Sequence, residues 1–149
     1  MGAEAYWYFV QYQPKVEKAL QELREREFRA GRYNPVIRHL YLSFPIGPDS
    51  PAPGAQHESI EKAFDDVGEN GTRSILDIQC VAEKPGFLKA APLAGEELQR
   101  LYGTAEPTRE MVEQNLDFFD DVERGHCVYV IIYKDGKPDE ILFFGYSFD

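Results

Sequence analysis

Residues 127–133 read Cys-Val-Tyr-Val-Ile-Ile-Tyr, and residues 140–148 read Glu-Ile-Leu-Phe-Phe-Gly-Tyr-Ser-Phe. Between these two runs of β-branched and aromatic residues lies a polar stretch, residues 134–139, that contains Gly136 and Pro138. Two strand-forming runs on either side of a polar turn are typical of a β-hairpin. We therefore expect two antiparallel strands from this part of the chain.

The first run of the predicted hairpin does not alternate apolar with polar residues. Successive side chains of a strand point to opposite faces of the sheet. Here both sets are apolar or aromatic, with Val128, Val130 and Ile132 on one face and Tyr129, Ile131 and Tyr133 on the other. Both faces of the sheet therefore need cover from helices, from a second sheet or from another subunit.

Three further segments are predicted to be strands. Residues 5–12 carry aromatic or apolar side chains on both faces, which favours a central position in the sheet. Residues 36–44 alternate apolar with polar residues towards their end, and residues 73–81 contain an apolar run. Asp77 interrupts that run, and we expect it to face outward unless another group pairs with it.

Four segments have the apolar spacing of amphipathic helices. They cover residues 14–30, 59–67, 93–102 and 108–123, and we expect Gly31 and Gly68 to end the first two. The predicted order is β-α-β-α-β-α-α-β-β. It indicates an α+β protein with one domain over residues 1–149, in which helices pack on a mixed sheet of four to five strands that ends in the antiparallel hairpin.

A loop rich in proline and glycine precedes the second predicted helix. Residues 45–56 contain four prolines and two glycines, and long irregular loops inside compact domains are commonly binding elements or disordered. Ligands of open sheets with parallel strands collect beyond the carboxyl ends of the strands. At that edge Asp49, His57 and Lys84 are the candidate binding residues. His57 starts a helix, where the neutral imidazole is favoured as a base or ligand; a capping or exposed histidine is the alternative.

No motif in the sequence identifies a catalysed reaction. His126 and Cys127 are neighbours on a predicted strand, so their side chains point to opposite faces and cannot form a nucleophile–base pair with each other. Cys80 and Cys127 are expected to be buried free thiols. The histidines lack the spacing of metal ligands, and we expect no catalytic residue, no metal and no cofactor.

The net charge of −10 is unevenly spread along the chain. Residues 1–40 carry a net charge of +2 and residues 41–149 a net charge of −12. An acidic surface repels phosphate backbones and anionic lipid, so neither a nucleic acid nor a membrane is expected as a partner. The same charge would attract a basic protein, and an acidic surface that serves solubility alone is the alternative.

These observations favour an interaction protein over an enzyme. We expect a small, acidic, cytoplasmic protein of bacterial type that binds a basic protein partner or associates with itself. The alternative is a small-molecule binder or a hydrolase-like enzyme with its site at residues 45–57. Nothing in the chain has the length and hydropathy of a membrane span, and its start does not resemble a secretory signal.

Overall fold

The computed structural model describes residues 3–36 and 50–148, without the side chains of Phe118 and Phe119. The predicted strand over residues 36–44 lies, apart from Val36, outside the described residues, and so do His39 and Asp49. Within these limits the protein has the predicted α+β architecture, in which helices pack on a mixed five-stranded sheet.

The sheet combines antiparallel and parallel pairs. Its strands are β1 (Ala5–Gln11), β2 (Cys80–Val81), β3 (Lys89–Pro92), β4 (Cys127–Lys134) and β5 (Lys137–Tyr146). They lie in the order β1-β5-β4-β3-β2, with β5 antiparallel to both its neighbours and β4, β3 and β2 parallel to one another. The helices are α1 (Val16–Ala30), α2 (Ile60–Val67), α3 (Gly95–Tyr102) and α4 (Arg109–Gln114).

The predicted hairpin is confirmed, with a tighter turn than expected. Lys134 lies opposite Lys137, so only Asp135 and Gly136 form the loop, and both have positive φ angles, of 53° and 76°. Two positive φ angles are typical of the two-residue turn whose twist matches that of the flanking strands. Strand β5 therefore begins at Lys137, three residues before the predicted strand, and the pairing shifts register near Pro138.

Strand β1 is at one end of the described sheet, where it pairs with β5, so the predicted central position is wrong for the described residues. The prediction rested on the apolar character of both faces of this strand. Apolar side chains on both faces of a strand show that other elements pack above and below it. The position of the strand within the sheet depends instead on whether one or two neighbouring strands share its backbone hydrogen bonds. The two properties are independent here.

The predicted strand over residues 73–81 is mostly a tight turn. Residues Ile75–Asp77 form a 3-10 helix, and only Cys80 and Val81 pair as a strand. The reason is Asp77, whose side chain points inward and accepts hydrogen bonds from the backbone N–H and the hydroxyl of Thr72, each at 2.7 Å. These hydrogen bonds join residues five apart and hold the chain in a turn. The apolar residues next to Asp77 are therefore buried within a turn and do not extend as a strand.

One strand was not predicted, and one helix is shorter than predicted. Strand β3 has the sequence Lys-Ala-Ala-Pro, which has little intrinsic strand preference, and it pairs in parallel with both β2 and β4. The helix predicted over residues 108–123 ends as α4 at Gln114, and a separate 3-10 turn covers Asp117–Asp121. Asn115 leaves the helical conformation, with φ −144° and ψ 99°.

Both faces of the sheet are covered by helices of the same chain. On one face α1 and the segment that follows α2 bury a large cluster that includes Tyr6, Leu20, Ile75 and Phe143. On the other face α3 and α4 bury a smaller cluster around Val130. The helices that shelter the two apolar faces of the sheet therefore belong to the same chain.

Candidate functional site

A groove runs between α1 and α2 on the surface of the protein. Its volume is about 540 Å³, and its apolar lining comes from both helices and from the loop before β3, through Phe28, Ile60, Phe64 and Leu88. Helix α2 begins here because the Ser59 hydroxyl accepts a hydrogen bond from the backbone N–H of Lys62, at 3.2 Å. This cap satisfies a backbone N–H in the first turn of α2 that has no partner within the helix.

Four carboxylates surround the apolar lining of the groove. We call them the acidic rim: Glu25, Glu58, Glu61 and Asp65. Glu25 is paired with Arg29 at 2.8 Å. The other three are exposed, and among the described residues their carboxylates have no ion pair or hydrogen bond. The rim therefore presents negative charge that the described part of the chain leaves largely unneutralised.

The groove contains a residue in a strained backbone conformation. Leu88 has a φ angle of 62°, in the left-handed region that leucine rarely adopts. Its N–H donates to the carbonyl of Gly125 at 2.7 Å, and its carbonyl accepts from the N–H of Gln79 at 2.8 Å, which holds the conformation in place. Strained residues of this kind concentrate at binding sites.

An apolar strip continues from one end of the groove. The ring of Phe64 packs against Phe148, with centroids 6.2 Å apart, and Phe148 packs against Phe87 at 5.5 Å. Phe87 is 56% exposed, which is unusual for a side chain of this size. The groove and its extension together offer an apolar surface with acidic borders.

His57 lies beside the groove and belongs to a chain of hydrogen bonds. Its Nδ1 is 2.9 Å from the Tyr33 hydroxyl, and its Nε2 is 3.0 Å from a carboxylate oxygen of Asp66. A carboxylate can only accept, so Nε2 carries a proton and donates to Asp66. The Tyr33 oxygen also accepts a hydrogen bond from the backbone N–H of Gln56, at 3.2 Å. Burial raises the pKa of Tyr33, which keeps its hydroxyl protonated.

Both ring nitrogens of His57 are therefore occupied, and the side chain is only 14% exposed. The contacts fasten residues 56 and 57 to the segment after α1, which is a structural role. His57 also borders a shallow depression with Gln56, Glu58 and Lys62, and this depression joins the groove through Glu58.

The three predicted binding residues are not seen together. Asp49 lies outside the described residues, and Lys84 is exposed in the turn after β2, where it does not line the groove. No contact in the described part of the chain joins Lys84 to His57. A small-molecule site at Asp49, His57 and Lys84 stays a prediction.

Sequence reasoning missed the acidic rim, although part of its signal is visible. Glu61 and Asp65 are four residues apart, so they share one side of α2, and Glu58 lies just before the cap residue Ser59. The contribution of α1 has no such signal, because Glu25 lies 33 residues before Glu58 and reaches the groove only through the packing of the two helices.

The two cysteines lie in different environments. Cys127 is buried, and burial raises the pKa of its thiol far above neutrality, which disfavours the nucleophilic thiolate. Cys80 is half-buried and free. Within residues 3–36 and 50–148, no group of three or more histidine, cysteine or acidic side chains is arranged to hold a metal ion.

Comparison with protein-family models, curated proteins and solved structures finds no significant match for this chain. Among the described residues, no helix has the length and apolar character needed to cross a membrane.

Proposed function

We propose that this protein is a binding protein whose α1–α2 groove receives a basic, partly apolar segment of a protein partner. The observation that carries the proposal is the acidic rim around an apolar lining. Lysine or arginine side chains of the partner would meet Glu58, Glu61 and Asp65, while an apolar side chain between them would contact Phe64 and Leu88.

The net charge of the chain and one exposed aromatic residue support this proposal. The net charge of −10 would draw a basic partner towards the protein over long distances and raise the association rate. The exposed Phe87 offers a large aromatic contact beyond the end of the groove, and aromatic side chains carry much of the binding energy in protein interfaces.

The test is a direct binding measurement with a designed peptide. A fluorescently labelled peptide that alternates lysine with leucine and phenylalanine would be titrated with the protein at low salt, and the same peptide with glutamate in place of lysine would serve as the ligand control. The protein variant carries Glu58→Gln, Glu61→Gln and Asp65→Asn, which neutralise the exposed part of the rim.

The matched control variant carries Glu96→Gln, Glu106→Gln and Asp139→Asn. These carboxylates are exposed and do not line the groove, and their neutralisation changes the net charge by the same amount. We expect the rim variant to bind the lysine peptide roughly tenfold more weakly than the control variant does. Equal losses in the two variants would show that only net charge matters, and would contradict a binding site in the groove.

A further inference from the structure

The groove also contains a buried cation. Arg24 lines the groove from α1 and is only 8% exposed. One terminal nitrogen donates to the side-chain oxygen of Gln21 at 2.7 Å, and the other donates to the carbonyl oxygen of Leu76 at 3.2 Å. Its Nε is buried and has no hydrogen-bond acceptor among the described residues.

Arg24 has no carboxylate in direct contact within the described part of the chain. Burial lowers the pKa of its guanidinium, and the negative charges that oppose this effect, including those of Glu17, Glu61 and Asp77, act on it from a distance. Arg32, on the same side of the fold, shows the contrast, because it forms two hydrogen bonds with the buried carboxylate of Glu27. Buried charges without a contacting counter-ion are unfavourable and are normally paired.

From this arrangement we infer that the groove binds the C-terminal end of a basic chain, with the terminal carboxylate on Arg24 and the basic side chains on the acidic rim. This inference rests on the proposed function and names the part of the partner that is recognised. The terminal carboxylate would supply the counter-ion that Arg24 lacks, through the strong hydrogen bonds that guanidinium and carboxylate groups form.

The surroundings of Arg24 disfavour a simple inorganic anion. Glu25, Glu58, Glu61 and Asp65 line the same groove, and their charges repel a phosphate or sulfate ion. A ligand that carries one negative group and several positive groups matches both parts of the groove. A basic peptide with a free C-terminus has this distribution of charge.

The experiment compares two peptides that differ only at the C-terminus. The lysine-containing peptide described above is prepared once with a free carboxylate and once with a C-terminal amide, both acetylated at the N-terminus. We expect the unmodified protein to bind the free-carboxylate form about tenfold more tightly, as the loss of one charge-assisted contact implies. This comparison does not depend on the folding of any variant.

Arg24→Met then tests whether the preference depends on Arg24. We expect this variant to bind the two peptides with equal affinity, because it lacks the guanidinium that distinguishes a carboxylate from an amide. Arg124→Met, an exposed arginine that does not line the groove, is the control and should keep the preference.

The failures of the two proposals give different results. If the free-carboxylate and amide peptides bind the unmodified protein equally, the C-terminal assignment is overturned while the proposed groove stands. If neither peptide binds, the proposed function fails, and this inference fails with it. Competition by inorganic phosphate as strong as that by the free-carboxylate peptide would also overturn the C-terminal assignment.

Discussion

Asp77 is a buried acid that is paired within the fold. The sequence predicts that it faces outward unless another group pairs with it, and the structure shows the pairing: Asp77 is 1% exposed and accepts two hydrogen bonds from Thr72. Its second carboxylate oxygen is buried without a partner among the described residues. Burial raises the pKa of Asp77 to about 6, and the hydrogen bonds from Thr72 oppose this shift only in part.

This pKa has a consequence for stability that can be measured. Because the folded-state pKa lies above the value of about 4 in an unfolded chain, the folded state binds the proton more tightly, and stability falls as the pH rises from about 4 to about 6. The shift corresponds to a loss on the order of 3 kcal/mol. Asparagine does not titrate, so the Asp77→Asn variant should not show this loss. We expect the unfolding free energy of the variant, measured in urea, to rise relative to that of the unmodified protein as the pH increases from about 4 to about 6.

The control for this pH dependence is Asp139→Asn, which removes an exposed carboxylate. Its unfolding free energy should follow that of the unmodified protein at each pH. If the Asp77→Asn protein instead shows the same pH profile as the unmodified protein, the carboxyl group of Asp77 does not titrate in the way proposed here.

At the scale of the elements, the end of α1 is held by a close contact between two glycines. Gly31 ends the helix with a φ angle of 76°, and its N–H satisfies carbonyls of the last turn. The N–H of Gly54 donates to the carbonyl of Ala30 at 2.9 Å, and a Cβ atom on Gly31 would overlap the carbonyl group of Gly54. This contact fastens the segment before α2 to α1 and so helps to align the two helices that form the groove.

A comparison of Gly31 with a second glycine of the same φ angle isolates the effect of this contact. Gly136, in the turn between β4 and β5, also has a φ angle of 76°, but a Cβ there would meet no atom within 4 Å. We expect Gly136→Ala to cost about 1 kcal/mol from the backbone conformation alone. Gly31→Ala should cost about 3 kcal/mol, because the overlap with Gly54 adds to the same backbone cost.

The measurement is chemical unfolding of both glycine variants under identical conditions. The difference between their losses reports the overlap, since the backbone term is common to both. Equal losses would mean that Gly54 moves away at no cost, and that the contact does not align α1 with α2.

At the scale of the whole molecule, the two covered faces of the sheet bear on self-association. The sequence left open whether a second copy of the chain shelters one face. In the structure α1 covers one face and α3 and α4 cover the other, so the sheet does not require a second subunit. The net charge of −10 also opposes the approach of two identical chains.

We therefore expect the protein to be a monomer at micromolar concentration. Size-exclusion chromatography with light scattering measures this directly, and the mass should be 17.1 kDa. The measurement is repeated at high salt, which screens the repulsion between like charges. A stable dimer at both salt concentrations would contradict this expectation and would favour the self-association that the sequence analysis left open.

The fold class and the local elements followed from short stretches of sequence. The apolar runs of β4 and β5, the helical spacing in α1, α2 and α3, and the turn at Gly136 are local signals, and the structure confirms them. Strand β3 and the turn at Ile75–Asp77 were missed or misassigned because their conformations depend on partners distant in sequence, or on a buried side chain.

The candidate site shows the same division. The sequence by itself determined that both faces of the sheet need cover, because side-chain spacing along a strand sets the face on which each residue lies. The spacing that places Glu61 and Asp65 on one side of α2 is also present in the sequence, although the sequence analysis missed it. Only the tertiary structure decided that Glu25 and Arg24 of α1 meet those acids in one groove. That meeting depends on how two helices pack, through contacts between residues far apart in the chain, which no local spacing records.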